Sequence, residues 1–414
     1  MSGYIESQPL GRTSAKDDAA GNTQAAGGTQ SHRLRAGGLI DRQAPLGFTF
    51  DGKAMTGYAG DTLASALVAN GVKLVARSFK YHRPRGIMTA GSEEPSALVE
   101  MRTGARREPN TRATTQELYD GLVANSQNRW PSLRRDFMAI NSLLSPIFVA
   151  GFYYKTFMWP AKFWEKIYEP MIRRAAGLGK SAEQPDQDHY DKAWVHCDVL
   201  VVGAGPTGLS AALAAGRTGA RVIVVEEDTQ LGGRLLGDGG EIDGMQAGEW
   251  VRRAETELEA LPNVRVMKRT SLFGVYDGGT YGALERVNDH VPVPGPHQVR
   301  QRLWRIVARR SVVAAGSIER PIVFPGNDRP GVMMASAVRT YVNRFAALPG
   351  RQVALFTNND DGWRTVEAIR RAGGEVSAVV DSRGQVPVEY QSVVEASGLR
   401  VLSGCVSDVK GGVD

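Results

Sequence analysis

The chain has 414 residues, of which 42% are hydrophobic and 23% charged, with 48 glycines, two cysteines and a formal net charge of +6. That length holds about two to four domains with cores of their own, and the composition excludes collagen, disulfide-scaffold and wholly disordered classes. The two cysteines, Cys197 and Cys405, cannot make a four-thiolate iron–sulfur cluster or an all-thiolate zinc site, and their scarcity fits a reducing compartment, so a cytoplasmic location is expected.

The positive excess is uneven. Residues 33–195 carry 23 basic and 16 acidic groups, residues 1–32 carry two and three, and residues 196–414 are balanced. The basic part lacks the interleaved aromatic motif of a nucleic-acid reader, so no nucleic-acid partner is expected.

Residues 1–32 are rich in Gly, Ser, Thr, Gln and Ala with almost no large apolar residues, and read as a disordered tail. They carry no positively charged stretch followed by an apolar run, which argues against a secretory signal. Residues 33–115 show strand patterns around Phe48, a helix from Asp61 to Asn70 capped by Asp61, and the loop SFKYHRPRGIMTAGSEEPSALVEM. In that loop Lys80, His82, Arg83 and Arg85 either guide an anionic cofactor or substrate at a subunit junction or form a solvated basic loop.

Residues 116–195 form a helical and aromatic connecting segment. Within it, Phe137 to Tyr154 runs 18 residues without a charge, the length at which a spanning helix becomes feasible. Asn141, Ser142, Ser145, Pro146 and Gly151 interrupt the run, and the aromatic stretch continues past Lys155 and through Pro160 to Trp164. A covered loop or subunit-contact segment is expected, with no membrane partner.

Residues 196–345 contain CDVLVVGAGPTGLSAALAAGRTGARVIVVEE, a strand, a glycine turn, a small-faced helix and a second strand. Gly203, Gly205 and Gly208 make G-x-G-x-x-G, the signature of a dinucleotide-binding βαβ unit. Gly203 permits the sharp turn, Gly205 lets the backbone approach a pyrophosphate, and Gly208 allows helix and strand to pack closely. Ala204, Pro206 and Thr207 complete the turn into the helix N-terminus, where an anion is favoured.

The second strand ends in Glu226, with Glu227 and Asp228 after it, where an acid accepts from ribose hydroxyls and repels a 2′-phosphate. NAD or FAD is therefore expected, and not NADP. Glu226→Ala is expected to weaken nucleotide retention with the fold intact. Residues 346–414 restart as strand, loop, helix, strand and read as a second nucleotide-fold domain that is incomplete. Its turn is Thr357-Asn358-Asn359-Asp360-Asp361-Gly362, whose two carboxylates would face a pyrophosphate, so it is not expected to bind phosphates.

Two later stretches, Leu231-Gly232-Gly233-Arg234 and VVAAGSIERPIVFPGNDRPGV from Val312, resemble the two-dinucleotide-domain flavoprotein superfamily. The resemblance implies that Gly233 and Arg234 lie along the nucleotide and that the strand end at Gly316 closes the site. Arg234 either meets pyrophosphate or is a solvated arginine.

The ordered set SFKYHRPRG, GFYYKTFMWP and VVGAGPTGLSAALAA resembles the alpha chains of heterotetrameric sarcosine oxidases from Arg33 onward. The implied fold is α/β, a Rossmann-like two-dinucleotide-binding fold preceded by a ferredoxin-like β-grasp domain. Related chains carry a [2Fe-2S] cluster there, with ligands spaced C-x4-C-x2-C, and those positions fall on Thr89, Glu94 and Ala97. None is a thiolate, so the domain is expected to lack the cluster.

The resemblance implies an assembly that oxidatively demethylates sarcosine to glycine, forming hydrogen peroxide and methylenetetrahydrofolate. In it an alpha chain meets beta, gamma and delta subunits, binds NAD, and contacts FMN at the beta boundary. The folate-binding region of such chains is absent from these 414 residues, so folate binding and amine oxidation by this chain alone are not expected.

The residues offer no catalytic nucleophile–base pair and no metal site; His32, His82, His189, His196, His290 and His297 are scattered. Three readings stay open: a nucleotide-carrying subunit of a sarcosine oxidase, a self-contained oxidoreductase using FAD and NAD(P)H, and a non-catalytic interaction module with a structural nucleotide.

Overall fold

The computed structural model describes residues 30–146, 151, 157, 159–175 and 179–411. Most of the 1–32 tail, most of GFYYKTFMWP and the end of the Phe137–Tyr154 run lie outside the described residues. Gln30 to His32, read as the end of the tail, are held in place: Gln30 Nε2 donates to Thr56 Oγ1 at 3.1 Å and the His32 amide to Ala69 O at 3.0 Å.

The first layer starts with a hairpin of β1 (Asp41–Phe50) and β2 (Lys53–Ala59), joined through Asp51 and Gly52, both at positive φ. An Asp-Gly pair suits that turn because both central residues must be left-handed. Helix α1 (Leu63–Ala69) is apolar on every side except Ser65 and is wholly buried. Its cap differs from the expected one: Thr62 and Ser65 form a reciprocal capping box, while the buried Asp61 pairs with Arg33 at 2.6 Å.

Strands β3 (Leu98–Met101), β4 (Glu108–Arg112) and β5 (Leu122–Ser126) complete a five-stranded sheet in the order β2-β1-β5-β3-β4, with β1 and β5 parallel. This is the expected β-grasp pattern. The sheet, however, takes its middle strand from residues 122–126, beyond the boundary at 115, because β5 alone supplies the ladder between β1 and β3.

The second layer is built on β6 (His189–Val202), α2 (Pro206–Arg217) and β7 (Val222–Val225). The short α3 (Leu235–Asp238) and α4 (Ala247–Ala260) lead into β8 (Val264–Met267), and β9 (Thr270–Tyr276), β10 (Thr280–Glu285) and the 15-residue β11 (Val299–Val313) follow. The sheet order is β8-β7-β6-β11-β10-β9, with β8, β7, β6 and β11 mutually parallel and β10 and β9 antiparallel. Parallel strands need crossover helices, and α2 and α4 supply them, packing over Val201, Val222 and Val224.

Helix α5 (Ala335–Asn343) returns to the first layer: its Ala337 and Tyr341, with Phe345 beyond it, join the core of Phe48, Leu67 and Met101. Val338 and Val342 face the other way, into the third unit. That unit has β12 (Gln352–Thr357), α6 (Asp360–Arg371), β13 (Glu375–Asp381), α7 (Val388–Ser397) and β14 (Val401–Ser403), with the strands parallel in the order β12-β13-β14. Trp363 is fully buried, stacks on Tyr390 and donates from Nε1 to Asp381 at 2.9 Å. Among the described residues no helix is long and apolar enough to cross a membrane.

Candidate nucleotide site

The parallel strands β6, β7 and β11 end together, and the glycine turn leaves β6 at that edge. Gly203 has φ +92°, and a Cβ there would lie 2.6 Å from Ala314 O at the end of β11. At Gly208 a Cβ would fall 1.9 Å from Gly203 O, so only glycine lets α2 start this close to the turn. Gly205 is different: a Cβ built there meets nothing within 4 Å. The turn is thus packed to contact behind and open in front, which is the cradle a pyrophosphate requires.

Pro206 occupies the first position of α2, where its missing N–H costs nothing, and the amides of Thr207 and Gly208 follow as first-turn donors without intrahelical acceptors. Thr207 is exposed and Ala204 buried. On the facing side Gly233 has φ +53°, and its Cβ would come 3.0 Å from Gly205 Cα. Gly232, at φ +122°, donates its amide to Ala204 O at 2.9 Å. Gly232 was absent from the residues expected to hold the nucleotide, although the paired glycines signal a backbone shared by two turns. Gly316 has φ +71° and, like Gly205, open space where a Cβ would stand.

The acidic residues do different things. Glu226 is buried, and its Oε2 accepts from the Ala204 amide at 2.7 Å while Oε1 accepts from the Asp228 amide at 2.9 Å. Burial raises its carboxyl above the usual range, against the pull of those two amides. Glu226→Ala would therefore leave two backbone donors unpaired, so the truncation costs stability and the fold is not left intact as expected. Asp228 is committed elsewhere, to Arg344 at 2.6 and 2.7 Å. Glu227 is exposed and accepts from Ser92 Oγ at 2.9 Å, a contact from the β-grasp loop with no signature in the sequence.

Arg234 is half-exposed and turns one end of its guanidinium to two carboxylates. Its Nη2 lies 3.0 Å from both Asp238 and Asp361. In the third unit Asp361, one of the two carboxylates that argue against phosphate at this turn, is held by Arg339 and Arg234, and Asp360 pairs with Arg383. The α6 turn is closed by ion pairs with arginines from three other segments, Arg234, Arg339 and Arg383. The basic loop is also committed: His82 Nδ1 lies 2.6 Å from Asp136, while Arg83 and Arg85 both pair with Asp328.

Residues 43–129 match a family model described as a 2Fe-2S iron–sulfur cluster binding domain, and residues 198–270 match one described as an FAD dependent oxidoreductase. The dinucleotide fits the turn described above. The cluster does not fit: both cysteines lie outside residues 43–129, and among the described residues no group of His, Cys, Asp and Glu forms a metal site.

The sarcosine oxidase subunit alpha of Rhizobium meliloti (strain 1021) is 60% identical over 361 residues, 87% of this chain and 37% of the relative. That of Corynebacterium sp. (strain U-96) is 37% identical over 378 residues, 90% of this chain and 34% of the relative. The chain therefore spans just over a third of the length of these relatives. Among solved structures, L-proline dehydrogenase from P. horikoshii shares the fold, with a TM-score of 0.55 at 20% identity over 84% of this chain and 55% of that one. With a cluster-free β-grasp domain leading into a Rossmann-type layer, and sequence identity running through both, this chain belongs to the family of sarcosine oxidase alpha subunits.

Proposed function

We propose that this chain is the nucleotide-carrying part of a sarcosine oxidase, and that it holds NAD along the edge formed by β6, β7 and β11. The observation that carries this is the contrast within one turn, with Gly203 and Gly208 packed against backbone while Gly205 opens onto free space. The amides of Thr207 and Gly208 meet the pyrophosphate. Glu226, whose two oxygens each keep a lone pair beyond the backbone bond, accepts from the adenosine ribose. Gly233 and Gly316 let the backbone pass close to the dinucleotide, and Ala204 and Pro206 shape the turn.

The proposed whole assembly works in the cytoplasm with beta, gamma and delta subunits, demethylates sarcosine to glycine, and forms hydrogen peroxide and methylenetetrahydrofolate. This chain supplies the NAD site and subunit contacts, including contact with FMN at the beta boundary. NAD, when bound, offers a hydride-accepting ring; the residues of this chain bind and orient its ADP half. A second reading, FAD in the same turn, is favoured by the match of residues 198–270 to an FAD dependent oxidoreductase model. Both molecules present the same ADP moiety to these residues.

The test is to purify the chain, denature it, and identify the released small molecule by mass spectrometry alongside its absorbance spectrum. NAD without flavin is the expected result; FAD establishes the second reading, and an empty chain overturns both. Glu226→Gln is expected to weaken retention of the released nucleotide about tenfold, the loss of one charge-assisted hydrogen bond. Equal occupancy of variant and parent, measured by titration calorimetry, removes the ribose assignment.

A further inference from the structure

The loop that resembles a cluster-binding loop is built around an anion of its own. Glu94 is 1% exposed. Its Oε2 accepts from the amides of Met88 at 3.0 Å and Thr89 at 2.6 Å and from Thr89 Oγ1 at 3.0 Å; its Oε1 accepts from the amides of Ser96 at 2.8 Å and Ala97 at 2.9 Å. A carboxylate removed from water needs such compensation, and here backbone dipoles supply it.

The three positions that the C-x4-C-x2-C spacing assigns to ligands are Thr89, Glu94 and Ala97. The first and third donate their amides to the second. A [2Fe-2S] centre is itself an anion whose sulfurs accept hydrogen bonds from surrounding groups. We propose that Glu94 takes the cluster's structural place, so that this domain is a scaffold organised by a carboxylate and not an electron-transfer station.

The loop so held is docked by three bonds, two of them to α5 and its N-cap and one to the residue pair after β7. Tyr341 Oη donates to Thr89 O at 2.8 Å, the Met334 amide to Met88 O at 2.9 Å, and Ser92 Oγ to Glu227 at 2.9 Å. Glu94 is accordingly a positioning residue that sets Ser92 against the end of β7, and this last step rests on the nucleotide reading above.

The experiment uses the full chain and hydrogen exchange of the peptide covering residues 86–97. Glu94→Gln puts an amide N–H against backbone donors, and exchange there is expected to accelerate at least about tenfold while peptides of the third unit stay unchanged. Exchange within twofold of the parent overturns the proposal. So does uptake of about two irons per chain, with matching sulfide, on anaerobic incubation with ferrous iron and sulfide. Should Glu94→Gln fail to accumulate, Thr89→Val removes one of the five bonds and is expected to raise exchange in the same peptide only; an unchanged peptide is again the overturning result.

Ser92→Ala separates the two readings. It is expected to leave exchange at 88, 89, 96 and 97 unaltered and to weaken nucleotide retention about threefold. Loss of loop protection in Glu94→Gln together with an empty parent chain would remove the nucleotide reading and keep the Glu94 assignment. A parent that holds nucleotide with equal affinity in Ser92→Ala would remove the positioning step.

Discussion

Gly208→Val is expected to abolish nucleotide retention and to lower the stability of the second layer by about 3 kcal/mol or more. Even the first carbon of the new side chain falls 1.9 Å from Gly203 O, and the obstacle is backbone, which cannot swing aside as a side chain would. Helix α2 must lift off β6, carrying the Thr207 amide with it. For a layer of this size the thermal midpoint should drop by about 6–12 °C. Gly205→Ala is the matched control: its Cβ meets nothing, and its backbone angles, φ −69° and ψ −177°, suit any residue. It should keep the parent's midpoint and lose nucleotide affinity. If Gly205→Ala retains nucleotide normally, the open face of the turn is not where the pyrophosphate lies.

Arg339→Met is expected to separate the third unit from the second layer. Arg339 is 2% exposed and donates to Asp238 at 2.7 Å, to both oxygens of Asp361 at 3.0 and 3.1 Å, to Asp361 O at 2.9 Å and to Thr365 Oγ1 at 3.0 Å. Removing it leaves Asp238 and Asp361 bridged across the α3–α6 junction only by the half-exposed Arg234 and Arg364. Truncating one member of a buried ion pair costs about 3–5 kcal/mol, and the lower figure applies because Asp361 is partly solvated. Differential scanning calorimetry should then resolve two transitions where the parent shows coupled unfolding, and limited proteolysis should release a fragment from about residue 346 onward. A single unshifted transition would contradict the role given to Arg339.

The same pairs set an acid limit. Burial alone would raise the carboxyl of Asp381, but hydrogen bonds from Arg383 and Trp363 outweigh it and hold it at about 2. Asp361 is likewise lowered: burial opposes, and its bonds and charge contacts with Arg339 prevail. Carboxyls depressed in the folded state contribute stability that is fully present above their unfolded value, near about 4, and is lost as pH falls through the folded one. The third unit should therefore lose stability between about pH 4 and pH 2, and in Arg339→Met the Asp361 part of that stability should already be reduced at neutral pH, with Arg234 keeping the remainder. Trp363, stacked on Tyr390 in that core, reports this as the fluorescence difference between the parent and a Trp363→Phe variant, since the other six tryptophans lie outside the third unit.

The βαβ unit and its three glycines were legible in the residues because each answers a local demand: a left-handed turn, an open approach, a close helix start. The strand pattern around Phe48 was legible for the same reason. The partners of the long side chains were not. Arg234 and Arg344 carry identical chemistry in the sequence, yet each is bound to a carboxylate more than 100 positions away or on a neighbouring helix. Charge pairing depends on where elements dock, and docking is not encoded in any short window.

The order of the layers, the position of the G-x-G-x-x-G turn and the lack of thiolates in the first domain can all be read from the residues. That β5 completes the β-grasp sheet from beyond residue 115, that α5 is shared between the first core and the third unit, and that Glu94 fills the loop where a cluster would lie emerge with folding. The physical reason is one of range: glycine and turn requirements act over a few residues, whereas burial, ion pairing and the convergence of amides on one carboxylate depend on chain segments that meet only after folding.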